Sequence, residues 1–179
     1  MSFSSDYRDR QDDIAALFER TFAASDGAEE GAVIGKLATD LMPMTPKDDI
    51  LVYLSQDAGT LTGAIIFSRL SYSQDTRSVF VLGPVAVVPE MQGRGVGQAL
   101  LRHGLDGLRE AGVDIALTYG DPNYYGKVGF APISQADAAA PYPLQYPQGW
   151  LGQSLDGVFD LPVKGACTCV PAFQDPAYW

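Results

Sequence analysis

Apolar residues recur every three or four positions near the start of the chain, at Ile14, Leu17, Phe18 and Phe22. That spacing predicts an amphipathic helix, with Asp12 and Asp13 in its first turn. A second stretch of the same period carries Val33, Ile34, Leu37 and Leu41, and the two prolines of "MPMTPKDD" predict its end. The period then changes. "ILVYLSQ" and "LTGAIIFSRLSYS" predict two strands, joined as a hairpin around Asp57-Ala58-Gly59-Thr60. "SVFVLGPVAVV", Ser78 to Val88, is nearly all apolar, which predicts a strand buried on both faces.

Three alternate glycines follow, Gly93, Gly95 and Gly97, and a helical period resumes at once. Val96, Leu100, Leu101, Gly104, Leu105, Leu108 and Ala111 fall on one side, and Gly112 stands where a C-terminal glycine is expected. "VDIALTY" predicts a strand. In "GDPNYYGKVGF", Asp121 fits an N-cap and Pro122 the first position of a short helix. "FAPIS" predicts another strand, and residues 136–157, rich in Ala, Pro, Tyr and Gly, predict a long, partly irregular excursion. "VFDLPVKGACTCVPAF" predicts one broken strand or two short ones. The result is a mixed α/β (α+β) single domain over residues 1–179. The helix between Val88 and Val113 is a crossover, so the strands on either side of it should be parallel neighbours.

The 179 residues carry 12 Lys+Arg against 22 Asp+Glu, a formal net charge of −10. No basic cluster is present, so no nucleic-acid partner is expected. No apolar run approaches the roughly 20 residues that span a bilayer, and "MSFSSDYRDRQDD" lacks the apolar stretch of a signal peptide. The expectation is a soluble cytoplasmic protein with no membrane partner. Acidity suits a cationic amine substrate, but solubility alone is the simpler reason for it. Cys167 and Cys169 with one histidine do not make a zinc site, so no metal is expected, and the thiols read as buried or half-buried residues.

Glycine costs roughly 1 kcal/mol relative to alanine inside a helix, so three at a helix start need a reason. A helix start leaves backbone N–H groups unpaired and carries partial positive charge, which suits a phosphate. The spacing excludes two motifs of that kind. Gly97 is followed by Gln98-Ala99, not Lys-Ser/Thr, and no sixth position supplies the last glycine of the dinucleotide fingerprint. The pattern that fits is Gln/Arg-x-x-Gly-x-Gly/Ala, as Gln92-Gly93-Arg94-Gly95-Val96-Gly97. This resembles the pyrophosphate loop of the GNAT superfamily of N-acetyltransferases. "LGPVAVVPEMQGRGVGQALLRHGL" with "GDPNYYGKVGF" is similar to a bacterial branch of that family with a GDP-x-YY-x-x-x-GF pattern, most specifically over residues 50–133.

The resemblance implies a central, mostly antiparallel twisted sheet with a splayed parallel strand pair and flanking helices. It implies acetyl-CoA as co-substrate and direct acetyl transfer to a primary amine in a ternary complex. Leu82, Val85 and Val87 would line the pantetheine arm. Gln92, Gly93, Arg94, Gly95, Val96 and Gly97 would form the diphosphate loop, with the Arg94 side chain either a charge partner or solvated. Tyr125 matches the tyrosine beside the CoA sulfur, Tyr124 is its alternate, and Asn123 would touch pantetheine. A monomer or a homodimer fits such a fold.

The residues themselves name no general base: Glu90, Asp57, Asp75 and Asp121 do not stand out, and His103 reads as packing. A serine hydrolase is disfavoured, because Gly152-Gln153-Ser154-Leu155-Asp156 lacks the final glycine of the nucleophile elbow. The alternative function is an acyl-CoA-binding sensor of the same fold without turnover. The segment with Tyr142, Tyr146 and Trp150 is expected either to wall the acceptor or to pack on itself.

Overall fold

The computed structural model describes residues 1–158 and 160–179. The strands are β1 (Ser2–Ser4), β2 (Ile50–Asp57), β3 (Thr60–Tyr72), β4 (Asp75–Val87), β5 (Ile115–Tyr119), β6 (Ala131–Pro132), β7 (Trp150–Ser154) and β8 (Cys167–Cys169). The helices are α1 (Gln11–Asp26), α2 (Ala28–Met44), α3 (Val96–Glu110) and α4 (Pro122–Tyr125). They build one sheet in the order β1-β2-β3-β4-β5-β7-β6, with β8 paired to β3. Among the described strand pairs β4 and β5 run parallel and the others antiparallel. The predicted hairpin forms, with Ala58 (φ 47°) and Gly59 (φ 82°) as its two turn residues.

The sheet is buried on both faces because its central strands carry apolar residues at consecutive positions, as in Ala64–Phe67 and Val79–Leu82. In β4, Val79 and Val81 face the α1–α2 layer, where Ile14, Phe18 and Leu41 pack. Phe80 and Leu82, the alternate residues, face α3 with its Leu100, Leu101, Leu105 and Leu108. Each such leucine contributes about 1.5–3 kcal/mol by burial. α3 also sits close: a side-chain carbon at Gly104 would come within 2.6 Å of Ile65 Cδ1.

One irregularity in β4 positions everything that follows. Ile65 opposes Val85 but Phe67 opposes Leu82, so β4 carries an extra residue at Gly83-Pro84. Proline has no N–H for a ladder, and the parallel pairing with β5 stops at Leu82–Thr118. The Thr118 hydroxyl donates to the Leu82 carbonyl at 3.0 Å and closes that last rung. Beyond it the two strands part.

Several expectations need correction. The excursion at 136–157 contains β7, which pairs β5 and completes the sheet. Its brevity, five residues between Pro/Gly-rich flanks, hides it, since its pairing partner is some thirty residues away in sequence. Trp150 is 1% exposed and donates from Nε1 to the Ala138 carbonyl at 2.9 Å, so it belongs to the core. "FAPIS" shrinks to Ala131–Pro132. The last predicted strand region yields β8 and an isolated bridge from Val163 to Ala138, while Phe159 within it lies outside the described residues. β1 had no signal in its three residues. Val33 lies on the exposed side of α2, and Ala111 is exposed at the end of α3. His103 packs as expected, stacked on Phe3 with ring centroids 5.0 Å apart and edge-on to Tyr53.

Candidate active site

The loop after β4 is built for its backbone. Gly93 (φ 71°) and Gly95 (φ 78°) take the left-handed region, and Gly95 is the N-cap residue of α3. The first bond of the helix runs from Ala99 N–H to the Gly95 carbonyl at 3.0 Å. Among the described residues none accepts from the N–H groups of Gly93, Arg94, Gly95, Val96, Gly97 or Gln98, and no side chain caps the helix. Consecutive donors without partners at the positive end of a 15-residue helix form an anion cradle. The Gln92 side chain does not reach outward. Its Nε2 donates to the Val87 carbonyl at 2.9 Å and fastens the loop to the end of β4.

That loop edges a cleft of about 580 Å³. Val85, Val87, Tyr124, Tyr125 and Lys127 line it, as do Gln92, Gly93, Gly95, Val96 and Gly97. Arg94 and Asn123 do not line it; both are exposed, and the Asn123 backbone N–H is spent on the Asp121 cap at 2.9 Å. Lys127 is the cation that sequence reasoning missed. It follows the tyrosine pair by one short turn and has no carboxylate within ion-pair distance among the described residues.

The two tyrosines divide the cleft between them. The Tyr124 hydroxyl packs directly on Gly97, where any side-chain carbon would collide with it. The Tyr125 ring lies on Gly120, whose missing side chain makes room: a carbon there would be 2.6 Å from Tyr125 Cε2. Edge-on contacts to Tyr124 (5.1 Å) and Phe130 (5.9 Å) hold the Tyr125 ring. Burial pushes the Tyr125 phenol well above its ordinary range. The neighbouring Tyr124 adds to this, and the Thr118 hydroxyl works against it. Burial raises Tyr124 as well.

A second cavity of about 260 Å³ lies at the strand gap. Phe22, Val85 and Tyr125 line both spaces, so the two adjoin along these side chains. Leu82 lines this second cavity rather than the cleft. Its other walls are Gly83-Pro84, Ile34 of α2, Tyr119, and the late residues Phe173, Tyr178 and Trp179. Tyr142, Tyr146 and Trp150 take no part in it; Tyr146 is exposed beside a shallow surface hollow.

Comparisons with known proteins agree with this geometry. The acetyltransferase (GNAT) domain family matches residues 7–133. The chain is 32% identical to "Uncharacterized N-acetyltransferase YjhQ" of Escherichia coli (strain K12), over 80% of this chain and 78% of that protein. The GNAT family N-acetyltransferase YhbS of Escherichia coli, solved in complex with CoA, superposes with a TM-score of 0.80 at 23% identity, over 97% of this chain and 92% of that one. A GNAT family acetyltransferase of Brucella melitensis, solved with acetyl-CoA, gives 0.67 at 24% identity, over 97% of both chains. A loop of free amides at the start of α3, a strand pair parted at Gly83-Pro84 and the family match over residues 7–133 together make this chain a member of the GNAT family of acetyltransferases.

Proposed function

We propose that this protein transfers the acetyl group of acetyl-CoA to a primary amine by direct attack within a ternary complex. One observation carries the reading: the cleft edged by the unpartnered amides and the second cavity share the Tyr125 side chain as a wall. The CoA and acetyl-CoA in the YhbS and Brucella structures support the donor.

In this reading the diphosphate takes the amides of Gly95, Val96 and Gly97, with Gly93 giving access and Gln92 holding the loop. Lys127 is the better charge partner than Arg94, because it borders the cleft. Val85 and Val87 flank the pantetheine arm. The acetyl thioester supplies an electrophilic carbonyl. The amine nitrogen bonds to that carbon, the C–S bond breaks, and the electron pair leaves on sulfur. The nitrogen loses one proton to solvent and the sulfur ends as a thiol.

Tyr125 faces the leaving sulfur. Its raised pKa keeps the hydroxyl protonated at neutral pH. The same shift makes it a poor acid toward a thiol of ordinary pKa about 8.5. Its contribution is therefore an O–H···S hydrogen bond to the developing charge, not a completed proton transfer. The thiolate takes its proton from water afterwards.

A non-catalytic acyl-CoA sensor would need the cradle but not the second cavity or the phenol between them. The test is release of free thiol from acetyl-CoA with an amine panel, beside a thermal scan. Acetyl-CoA should raise Tm, and an amine should release thiol in proportion to acetylated product. A Tm raised by acetyl-CoA with no thiol release across the panel would leave the sensor standing and end the transferase reading.

A further inference from the structure

Resting on that transferase reading, we propose that the acceptor is a small monoamine on an apolar, aromatic-sized body, steered by the Glu30 carboxylate at the rim of the second cavity. The cavity, at about 260 Å³, lies below the roughly 300–1,000 Å³ of common ligand sites. It suits a compact molecule and leaves no room for an oligosaccharide.

Its walls are made largely of aromatic and aliphatic side chains. Phe22 and Ile34 come from the paired helices α1 and α2. Tyr119 and Tyr125 come from the end of β5 and from α4, and Phe173 and Tyr178 from the far end of the chain. The late wall is preorganised. Phe173 meets Tyr178 edge-on at 5.8 Å and Trp179 at 5.4 Å, and Trp179 Nε1 donates to the Phe173 carbonyl at 3.1 Å. Such a surface gains most from an aromatic or branched apolar body, by area and by ring contacts.

Among the described lining residues Glu30 has the one carboxylate side chain, and neither Lys nor Arg is present. Glu30 is exposed, in the first turn of α2, and no basic side chain reaches it among the described ion pairs. One solvated carboxylate at the rim matches one arriving ammonium. Aromatic faces beyond it tolerate the cation until it sheds its proton to solvent. A polyamine or an aminoglycoside would bring several charges against rings that cannot pair them. A lysine in a peptide would bring polar backbone to the same rings.

The test is calorimetric titration of amines into the protein, with and without saturating CoA, beside thiol release from acetyl-CoA. Phenethylamine should bind at least about tenfold tighter than ethylamine, spermidine or an acetyl-lysyl-amide peptide precursor with a free side-chain amine. Glu30→Gln should weaken phenethylamine by about threefold to tenfold and leave the neutral phenethyl alcohol unchanged. Ala177→Phe, which fills the cavity from an exposed position, should weaken both. Spermidine or the peptide binding as tightly as phenethylamine overturns the inference, and so does an unchanged affinity in Glu30→Gln. Thiol release with the peptide and none with phenethylamine overturns the inference and leaves the transferase reading intact. Tight phenethylamine binding with no thiol release from any amine ends the transferase reading and, with it, the acceptor role of this cavity.

Discussion

The two cavities at the strand gap are built from different materials. The cleft at the start of α3 is in the main a backbone site: its run of free donors is main-chain N–H groups of residues 93–98, with Lys127 and the tyrosine hydroxyls beside them. The second cavity is a side-chain site, assembled from α1, α2, β4, β5, α4 and the last residues of the chain. A backbone site needs glycines at fixed spacing and tolerates little else. A side-chain site needs only the right chemistry at positions that the fold brings together, and its makers are free to differ.

The comparison breaks most sharply at Gly95. Gly95→Glu adds a carboxylate at the positive end of α3, where a diphosphate would sit. It also puts a non-glycine residue at φ 78°, at a cost of about 1–2 kcal/mol. Gly95→Ala carries the same backbone strain without the charge, so the pair separates the two effects. Acetyl-CoA at 100 times its Kd stabilises a protein by about 2.7 kcal/mol, and that gain should appear as a rise in Tm for the parent and for Gly95→Ala. It should vanish for Gly95→Glu up to millimolar ligand. Equal responses from both variants would mean that the diphosphate does not use this cradle. Gly97 is a worse choice for this test, because any side chain there displaces the Tyr124 hydroxyl.

Next in size is Tyr125→Phe, on the wall that the two spaces share. A hydrogen bond to a charged group contributes about 1.5–3 kcal/mol, so kcat should fall by about 10–10²-fold. KM for acetyl-CoA should change little. Tyr124→Phe removes a hydroxyl that lies against Gly97, at the diphosphate end. It should alter KM for acetyl-CoA more than kcat. Steady-state kinetics on both variants reads the split, and an exchange of the two patterns would reassign the sulfur partner to Tyr124.

The same contrast explains what could be read before the structure. The α3 loop was legible because its requirement is written in consecutive residues, Gln92 to Gly97. The strand gap was legible through Gly83-Pro84, a pair that a regular central ladder cannot hold. The period-3.6 pattern of α3 predicted its buried face nearly residue for residue, failing only at Ala111, the exposed C-cap residue. Lys127 and Glu30 gave no signal, because a lone charge in a polar context looks like any solvated side chain. Phe173, Tyr178 and Trp179 are separated from Phe22 by about 150 positions, and no local pattern encodes that meeting. The aromatics of 136–157 misled for the opposite reason. Their composition resembled a site, but Trp150 serves β7 and the core.

A subtler way to sharpen the comparison is pH. The folded-state pKa of Tyr125 is raised by burial, as are those of Tyr72 and Tyr53. A raised folded pKa means that the native state holds the phenolic proton after the unfolded chain has released it. That stabilisation is complete below the unfolded value of about 10 and is lost as pH rises beyond it. Tm should therefore be level in this respect through pH 9 and fall above about pH 10. The kcat profile should show no alkaline decline from Tyr125 below about pH 10. An alkaline limb near pH 8 that disappears in Tyr125→Phe would mean a phenol that ionises readily and does transfer its proton.

The smallest effect on turnover is expected at Cys167 and Cys169. β8 pairs with Leu70–Tyr72, one end of β3, whereas the glycine loop follows the strand that pairs Gly63 near its other end. Neither cysteine lines the cleft or the second cavity. Burial pushes the thiols up to about 12 for Cys167 and about 11 for Cys169. At pH 7 a thiol with a pKa near 11 is thiolate in about one molecule in 10⁴, too few to serve as an acyl carrier. The double variant Cys167→Ser, Cys169→Ala should keep kcat/KM within about threefold of the parent, which corresponds to under about 0.7 kcal/mol. Cys169 is 7% exposed and packs in the core, so the variant should still lose about 1 kcal/mol of stability. Activity and Tm then move independently, which is what a structural thiol pair predicts. A double variant that stays folded and loses all turnover would require an acyl-cysteine on the path. Direct transfer where the two cavities adjoin would then be wrong, however well the cradle binds acetyl-CoA.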